Sequence, residues 1–152
     1  MTSENLATGG CQCGAVRFAI RTDFENPHIC HCRMCQKAFG NYFAALVATK
    51  KLGLTWTRGK PSVFRSSDGD ERNFCRDCGT PMTFAYDNSD RIAVSIGSLD
   101  HPEAVTPAKQ FGLEAQLPAF ALLHTLPGSR TEDDIPAEML ERLKSRQHPD
   151  RD

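Results

Sequence analysis

Gly10-Cys11-Gln12-Cys13-Gly14 and, in the middle of the chain, Cys75-Arg76-Asp77-Cys78-Gly79 decide the fold. Each stretch carries two sulfurs on a short turn, so both can aim at one ion. In such knuckles the backbone N–H groups after the first cysteine point at its sulfur, and glycine permits the tight turn. Two knuckles from distant segments make a four-sulfur site that staples the start of the chain to its middle. Zinc takes four such ligands in a tetrahedron when its role is structural, and a closed shell leaves no room for substrate. The competing reading is that Cys11, Cys13, Cys75 and Cys78 are ordinary buried cysteines.

Between the knuckles lies a denser cluster, Cys30-His31-Cys32-Arg33-Met34-Cys35. Three thiolates from one short segment can bind one zinc and leave a fourth position open for water or a thiol. A thiol bound there would be held as a thiolate. Two other readings stay open. His31 could be a fourth ligand and make a second structural site, although its place between two ligand positions turns its ring away from the metal. Alternatively, Cys30, Cys32 and Cys35 could bind no metal and act as a redox trio.

Composition narrows the class. The chain has 152 residues, 39% hydrophobic and 24% charged, which is ordinary for one soluble globular domain. Lys and Arg number 18 against 19 Asp and Glu, a formal net charge of -1. Nucleic acid and anionic membrane surfaces demand a basic excess, so neither is an expected partner. Met1–Gly10 has no apolar core or basic flank, so no signal peptide is expected. No apolar run approaches the ~18 residues of a membrane span. A cytoplasmic location follows, where thiols stay reduced. An odd cysteine count with metal-ligand spacing argues against a disulfide framework.

Most other signals are short strands. Val16, Phe18 and Ile20 alternate with Arg17 and Ala19; Leu52, Leu54 and Trp56 alternate; so do Met82, Phe84 and Tyr86, then Ile92, Val94 and Ile96. Residues 44–48 form an apolar run, and 62–65 are a strand candidate before the turn Ser67-Asp68-Gly69-Asp70. A two-turn helix is expected over 33–39, ended by Gly40. Asp134 is expected to cap a last helix with Pro136 early and Met139, Leu140 and Leu143 on one face. The acidic run Glu132-Asp133-Asp134 reads as the start of that helix rather than as paired catalytic carboxylates. His28, His101, His124 and His148 read as surface groups or supports of neighbouring side chains. The organisation expected is a flexible N-terminus over 1–8, one zinc domain over 9–146 and a polar tail over 147–152.

Three blocks carry a resemblance: Gly9-Gly10-Cys11-Gln12-Cys13-Gly14-Ala15-Val16-Arg17-Phe18, Cys30-His31-Cys32-Arg33-Met34-Cys35-Gln36-Lys37 and Phe74-Cys75-Arg76-Asp77-Cys78-Gly79-Thr80-Pro81. Together they resemble the glutathione-dependent formaldehyde-activating family, whose domain the centromere protein V-like proteins share. Ser95-Ile96-Gly97-Ser98-Leu99-Asp100, Gly112-Leu113-Glu114 and Leu117-Pro118 fit its later blocks, so the resemblance runs over about 9–131. It implies a mainly β fold, an antiparallel β-tent of small sheets built around zinc, with a short C-terminal helix. It implies two zinc ions per chain: a structural one at Cys11, Cys13, Cys75 and Cys78, and a catalytic one at Cys30, Cys32 and Cys35. The implied activity is that of a carbon–sulfur lyase, joining or splitting a small-molecule thiol such as glutathione and formaldehyde as an S-hydroxymethylglutathione-like adduct. Family members often carry Trp after the Leu-Pro pair, where Ala119-Phe120 stands here. The alternative is a non-catalytic zinc-stapled binding domain with two structural sites.

Overall fold

The computed structural model describes residues 6–151. Ten strands follow in chain order: β1 (Leu6–Gly10), β2 (Arg17–Arg21), β3 (Glu25–Cys30), β4 (Ala44–Lys50), β5 (Leu54–Arg58), β6 (Ser62–Ser67), β7 (Asp70–Phe74), β8 (Pro81–Tyr86), β9 (Arg91–Ser95) and β10 (Lys109–Phe111). Three short helices are α1 (Arg33–Phe39), α2 (Thr131–Asp134) and α3 (Ala137–Arg142). The strands make two sheets, one of order β1-β2-β5 and one of order β10-β3-β4-β9-β8-β7-β6. All pairs are antiparallel except β10 on β3. The fold is therefore mainly β, two sheets with few helices, as the sequence led us to expect. Among the described residues, no helix is long and apolar enough to cross a membrane.

The alternation of β2 explains how the sheets meet. Phe18 and Ile20 are fully buried and pack with Val47 of β4, Val94 of β9 and Ile96, Leu99 and Val105 beyond it. Each such side chain contributes roughly 1.5–3 kcal/mol on burial. Trp56 of β5 closes the cluster edge-on against Phe18, centroids 5.9 Å apart. Two smaller apolar clusters each surround a cysteine group. Cys11, Cys75, Val16 and Met82 form one, and Cys35, Ala44 and Leu46, backed by Cys30, Cys32 and Phe39, form the other. A buried ion pair ties β2 to the segment after β9: Arg17 of β2 donates to both carboxylate oxygens of Asp100 at 2.8 and 2.6 Å, and Thr8 of β1 donates to the same carboxylate at 2.5 Å.

Several local expectations change. Leu52 sits in a 3-10 turn over 51–53, not in a strand, and is almost wholly exposed. Ile96 begins another 3-10 turn, although it remains buried in the core. The Asp68-Gly69 hairpin forms, yet neither residue has a positive φ. The Ser67 hydroxyl instead accepts the Gly69 N–H at 3.2 Å, and the ladder shifts register between Arg65 and Ser67. Asp134 does not cap the last helix. It ends the four-residue α2 and accepts a hydrogen bond from Ser129, while Pro136 stands at the start of α3. The apolar face of α3 is not buried: Met139 and Leu143 are exposed. α1 runs as expected and ends at Gly40, whose φ of 57° is left-handed.

Candidate metal centres

The first knuckle is built by the turn after β1. The Cys11 N–H donates to Val16 O at 2.9 Å, the Gly14 N–H to Cys11 O at 3.0 Å, and the Val16 N–H to Cys11 Sγ at 3.3 Å. The second knuckle joins β7 to β8, with Cys75 N–H on Thr80 O at 3.0 Å and Gly79 N–H on Cys75 O at 2.8 Å. Thr80 links the two, because its hydroxyl accepts the Gln12 N–H at 3.0 Å and lies 3.2 Å from Cys78 Sγ. All four sulfurs lie within 4.8 Å of one another. Cys11 and Cys13 are 3.6 Å apart and Cys13 and Cys75 3.8 Å. A zinc ion with Zn–S bonds of about 2.3 Å sets tetrahedral sulfurs about 3.8 Å apart, so the donor set fits that ion. A disulfide would need about 2.05 Å.

Protons are unevenly held in this group. Burial pushes the Cys75 thiol up to about 12. Burial also raises Cys78, but hydrogen bonds from the Thr80 hydroxyl, the Thr80 backbone and Cys13 outweigh it and bring Cys78 down to about 6. Within this knuckle Cys78 is thus the readier ligand, and a metal bound here would displace the proton of Cys75.

The second group comes from one continuous segment. Cys30 ends β3, Cys32 is the N-cap of α1, and Cys35 lies in the first turn of that helix. Cys32 Sγ accepts the Cys35 N–H at 3.4 Å, so one sulfur both caps the helix and faces the other two. The three sulfurs lie within 4.8 Å of one another. A hydrogen bond from Cys35 draws Cys30 down to about 5 despite partial burial. The same bond, with burial, raises Cys35, opposed by the Arg72 guanidinium. Arg72 is itself buried on β7 and donates from Nη2 to Cys35 Sγ at 3.6 Å. This trio also fits a divalent ion that takes thiolate ligands, and it offers three of them.

His31 does not join the trio. Its ring is fully buried, with Nε2 2.8 Å from Gln110 Oε1 and 3.2 Å from Gln116 Nε2. Phe120 meets the ring edge-on at 4.6 Å and Phe43 at 6.1 Å. Phe120, which follows the Leu117-Pro118 pair, thus packs against the cysteine loop. Gln36 adds two bonds, from Nε2 to His31 O and to Ala115 O, both 2.8 Å. The remaining histidines lie outside both sulfur groups. His28 bonds the Asn26 carbonyl, His101 faces Glu103, and His124 is exposed. His148, in the polar tail, donates its backbone N–H to Gln12 O at 2.8 Å and so lies beside the first knuckle.

Sequence patterning brought out all seven cysteines but not Arg72, Gln36, Gln110 or Gln116 as parts of the second group. Arg72 leaves no trace in the sequence, because residues 70–74 show no apolar alternation and its inward position is visible only in the fold.

Three comparisons bear on identity. The family model described as glutathione-dependent formaldehyde-activating enzyme matches residues 6–114. A protein of Schizosaccharomyces pombe described as an uncharacterized lyase is 33% identical over 82 residues, 53% of this chain and 58% of that protein. The match thus spans little more than half of that relative. A crystal structure of a Rhodobacter sphaeroides protein superposes with a TM-score of 0.55 at 22% identity, over 68% of this chain and 98% of the other, a likeness of fold alone. With the family model covering most of the chain and both of its sulfur groups in place, this protein belongs to the glutathione-dependent formaldehyde-activating family.

Proposed function

We propose that the protein is a zinc-dependent lyase that makes or breaks a carbon–sulfur bond in the adduct of a thiol and a small carbonyl. In this reading Cys11, Cys13, Cys75 and Cys78 hold a structural zinc, and Cys30, Cys32 and Cys35 hold a second zinc at the reacting centre. The observation that carries it is the difference between the two groups. Four sulfurs converge at the first and three at the second, while the His31 ring is held by Gln110 and Gln116 among aromatic rings. Zinc held by three thiolates and open at a fourth position would lower the pKa of an incoming thiol and keep it as the thiolate. In the forward direction a sulfur–carbon bond forms, the carbonyl π pair moves to oxygen, and that oxygen takes up the proton the thiol has lost. The reverse releases thiol and carbonyl. The chain's own part is to hold the cysteine loop still through Gln36, the His31 N–H bond to Phe111 O at 2.9 Å and the cap on α1. Glutathione with formaldehyde is the pair that family membership suggests first.

The test is the coordination of the second metal. In cobalt-substituted protein, glutathione, cysteine or another small thiol should add a sulfur-to-metal charge-transfer band. If none does, and both metals have four protein ligands, the chain is a zinc-stapled binding domain and not a lyase.

A further inference from the structure

Arg72 is unusual for a buried arginine. It is 7% exposed, and its guanidinium lies 4.7 Å over the Phe84 ring. Nη2 donates to Cys35 Sγ and Nε to Ser66 Oγ at 3.1 Å, but Nη1 is buried with no hydrogen-bond partner. The Asp70 carboxylate feels the Arg72 charge, but the hydrogen-bonded link between them runs through Ser66, whose hydroxyl donates to that carboxylate. A buried guanidinium N–H without an acceptor costs free energy that a bound acceptor would recover. Arg72 also lines a cavity of about 360 Å³, which it links to the cysteine trio through its bond to Cys35, and a second of about 200 Å³. The larger one is walled by Arg33 and Lys37, one helical turn apart on α1, with Met34 and Phe64 as its apolar sides. It has three cationic side chains and no carboxylate in its lining. Among the described residues, none of the three cations forms an ion pair.

We propose that Arg72, Arg33 and Lys37 form a carboxylate-reading wall beside the three-sulfur site, so that the thiol taken there carries a carboxylate. The inference rests on the thiol reading above and adds to it the residues that select the thiol. A thiolate trio holding a divalent ion has one net negative charge, and three cations more than offset it, so an anion is welcome at this wall. A carboxylate matches the planar donor fork of a guanidinium, as a neutral thiol cannot. Because Arg72 touches Cys35 directly, a sulfur at the trio and a carboxylate on the guanidinium can belong to one small molecule.

The experiment compares 3-mercaptopropionate, 2-mercaptoethanol and cysteamine at equal thiolate concentration on the cobalt-loaded protein, followed by the charge-transfer band. The anionic thiol should bind about tenfold tighter than the neutral one, and cysteamine weakest. Salt should shrink the difference by screening the exposed cations. In the Arg33→Ala/Lys37→Ala double variant, and separately in Arg72→Lys, the preference should fall to under about threefold. The exposed pair carries the test if the buried variant fails to fold. Equal binding of all three thiols overturns the wall and leaves the thiol reading standing. A preference that survives in every variant overturns the assignment of these residues. No response to any thiol overturns the thiol reading and takes the wall with it.

Discussion

Cys32 and Cys78 are chemically alike and should fail differently. Cys32 caps α1 through its sulfur, and serine is among the best N-cap residues. On the proposed assignment Cys32→Ser keeps the cap, removes one of three metal ligands and should leave the far-UV spectrum intact while the second metal is lost. Cys78→Ser removes a ligand from the group joining β1–β2 to β7–β8, and the Thr80 hydroxyl cannot replace it. Its thermal midpoint should drop sharply, because structural zinc contributes directly to folding free energy. Equal unfolding by both substitutions would make both groups structural. Asp100 gives a pH signature at the same scale. Burial raises its pKa, but the Arg17 and Thr8 hydrogen bonds with the Arg17 charge outweigh it, so the folded value lies below the ordinary 3.8. A depressed carboxylate pKa contributes stability that is full above the ordinary value and is lost as pH falls through the folded value. Asp100→Asn should cost roughly 3–5 kcal/mol near neutrality. The gap between wild type and Asp100→Asn in urea unfolding should narrow as pH falls below 3.8; a gap that widens would rule out this role for the pair.

At the level of elements, β10 and the turn after it hold the cysteine loop from one side. Gly112 has φ of 68°, and a Cβ there would lie 2.7 Å from the backbone nitrogen of Cys32. Gly112→Ala should therefore cost roughly 1–3 kcal/mol and displace Cys32. Zinc affinity should weaken at the second group and stay unchanged at the first, measured by competition with a chelating dye. Much of this arrangement could be read from the sequence and some could not. Strands with one apolar face, such as β2 and β9, follow from alternation, whereas β8 forms where its alternation suggests but buries Thr83 and Ala85 and leaves Tyr86 exposed. β7 does not follow from alternation, because Asp70, Arg72 and Asn73 are its buried residues, kept inside by hydrogen bonds to Ser66, Ser67 and Thr83. β3 holds Pro27 and a left-handed Asn26, signals that argue against a strand, and its ladder with β4 shifts register between Glu25 and His28 to accommodate them. β1 has two glycines, and β10 is three exposed residues. The second sulfur group is read from spacing alone, but the elements that surround it, β7 and β10, are the ones without a sequence signature. That is why its cysteines are legible and its arginine and glutamines are not.

Across the whole molecule, the two sulfur groups differ in what they connect. The first joins a turn of the three-stranded sheet to a hairpin of the seven-stranded sheet, far apart in sequence. The second lies within one segment and its neighbours β4 and β10. A structural zinc is worth roughly 10–16 kcal/mol in small zinc modules, as much as the entire stability of an ordinary domain at about 5–15 kcal/mol. Losing the first metal should therefore threaten the fold, whereas losing the second should not. On the proposed assignment the second site should also lose its ion first, since its group offers three sulfurs and the first offers four. Titration of reduced, fully loaded protein with a chelator should release two zinc ions in two steps. After the first step the strand signal in circular dichroism should persist and thiol binding should be gone. After the second, cooperative unfolding should appear at a lower temperature or vanish. Release in the opposite order, or a single step with simultaneous loss of structure, would show that the trio is part of the staple and not a separable reacting centre. Carefully reduced protein that holds no zinc at all would remove the basis for both roles.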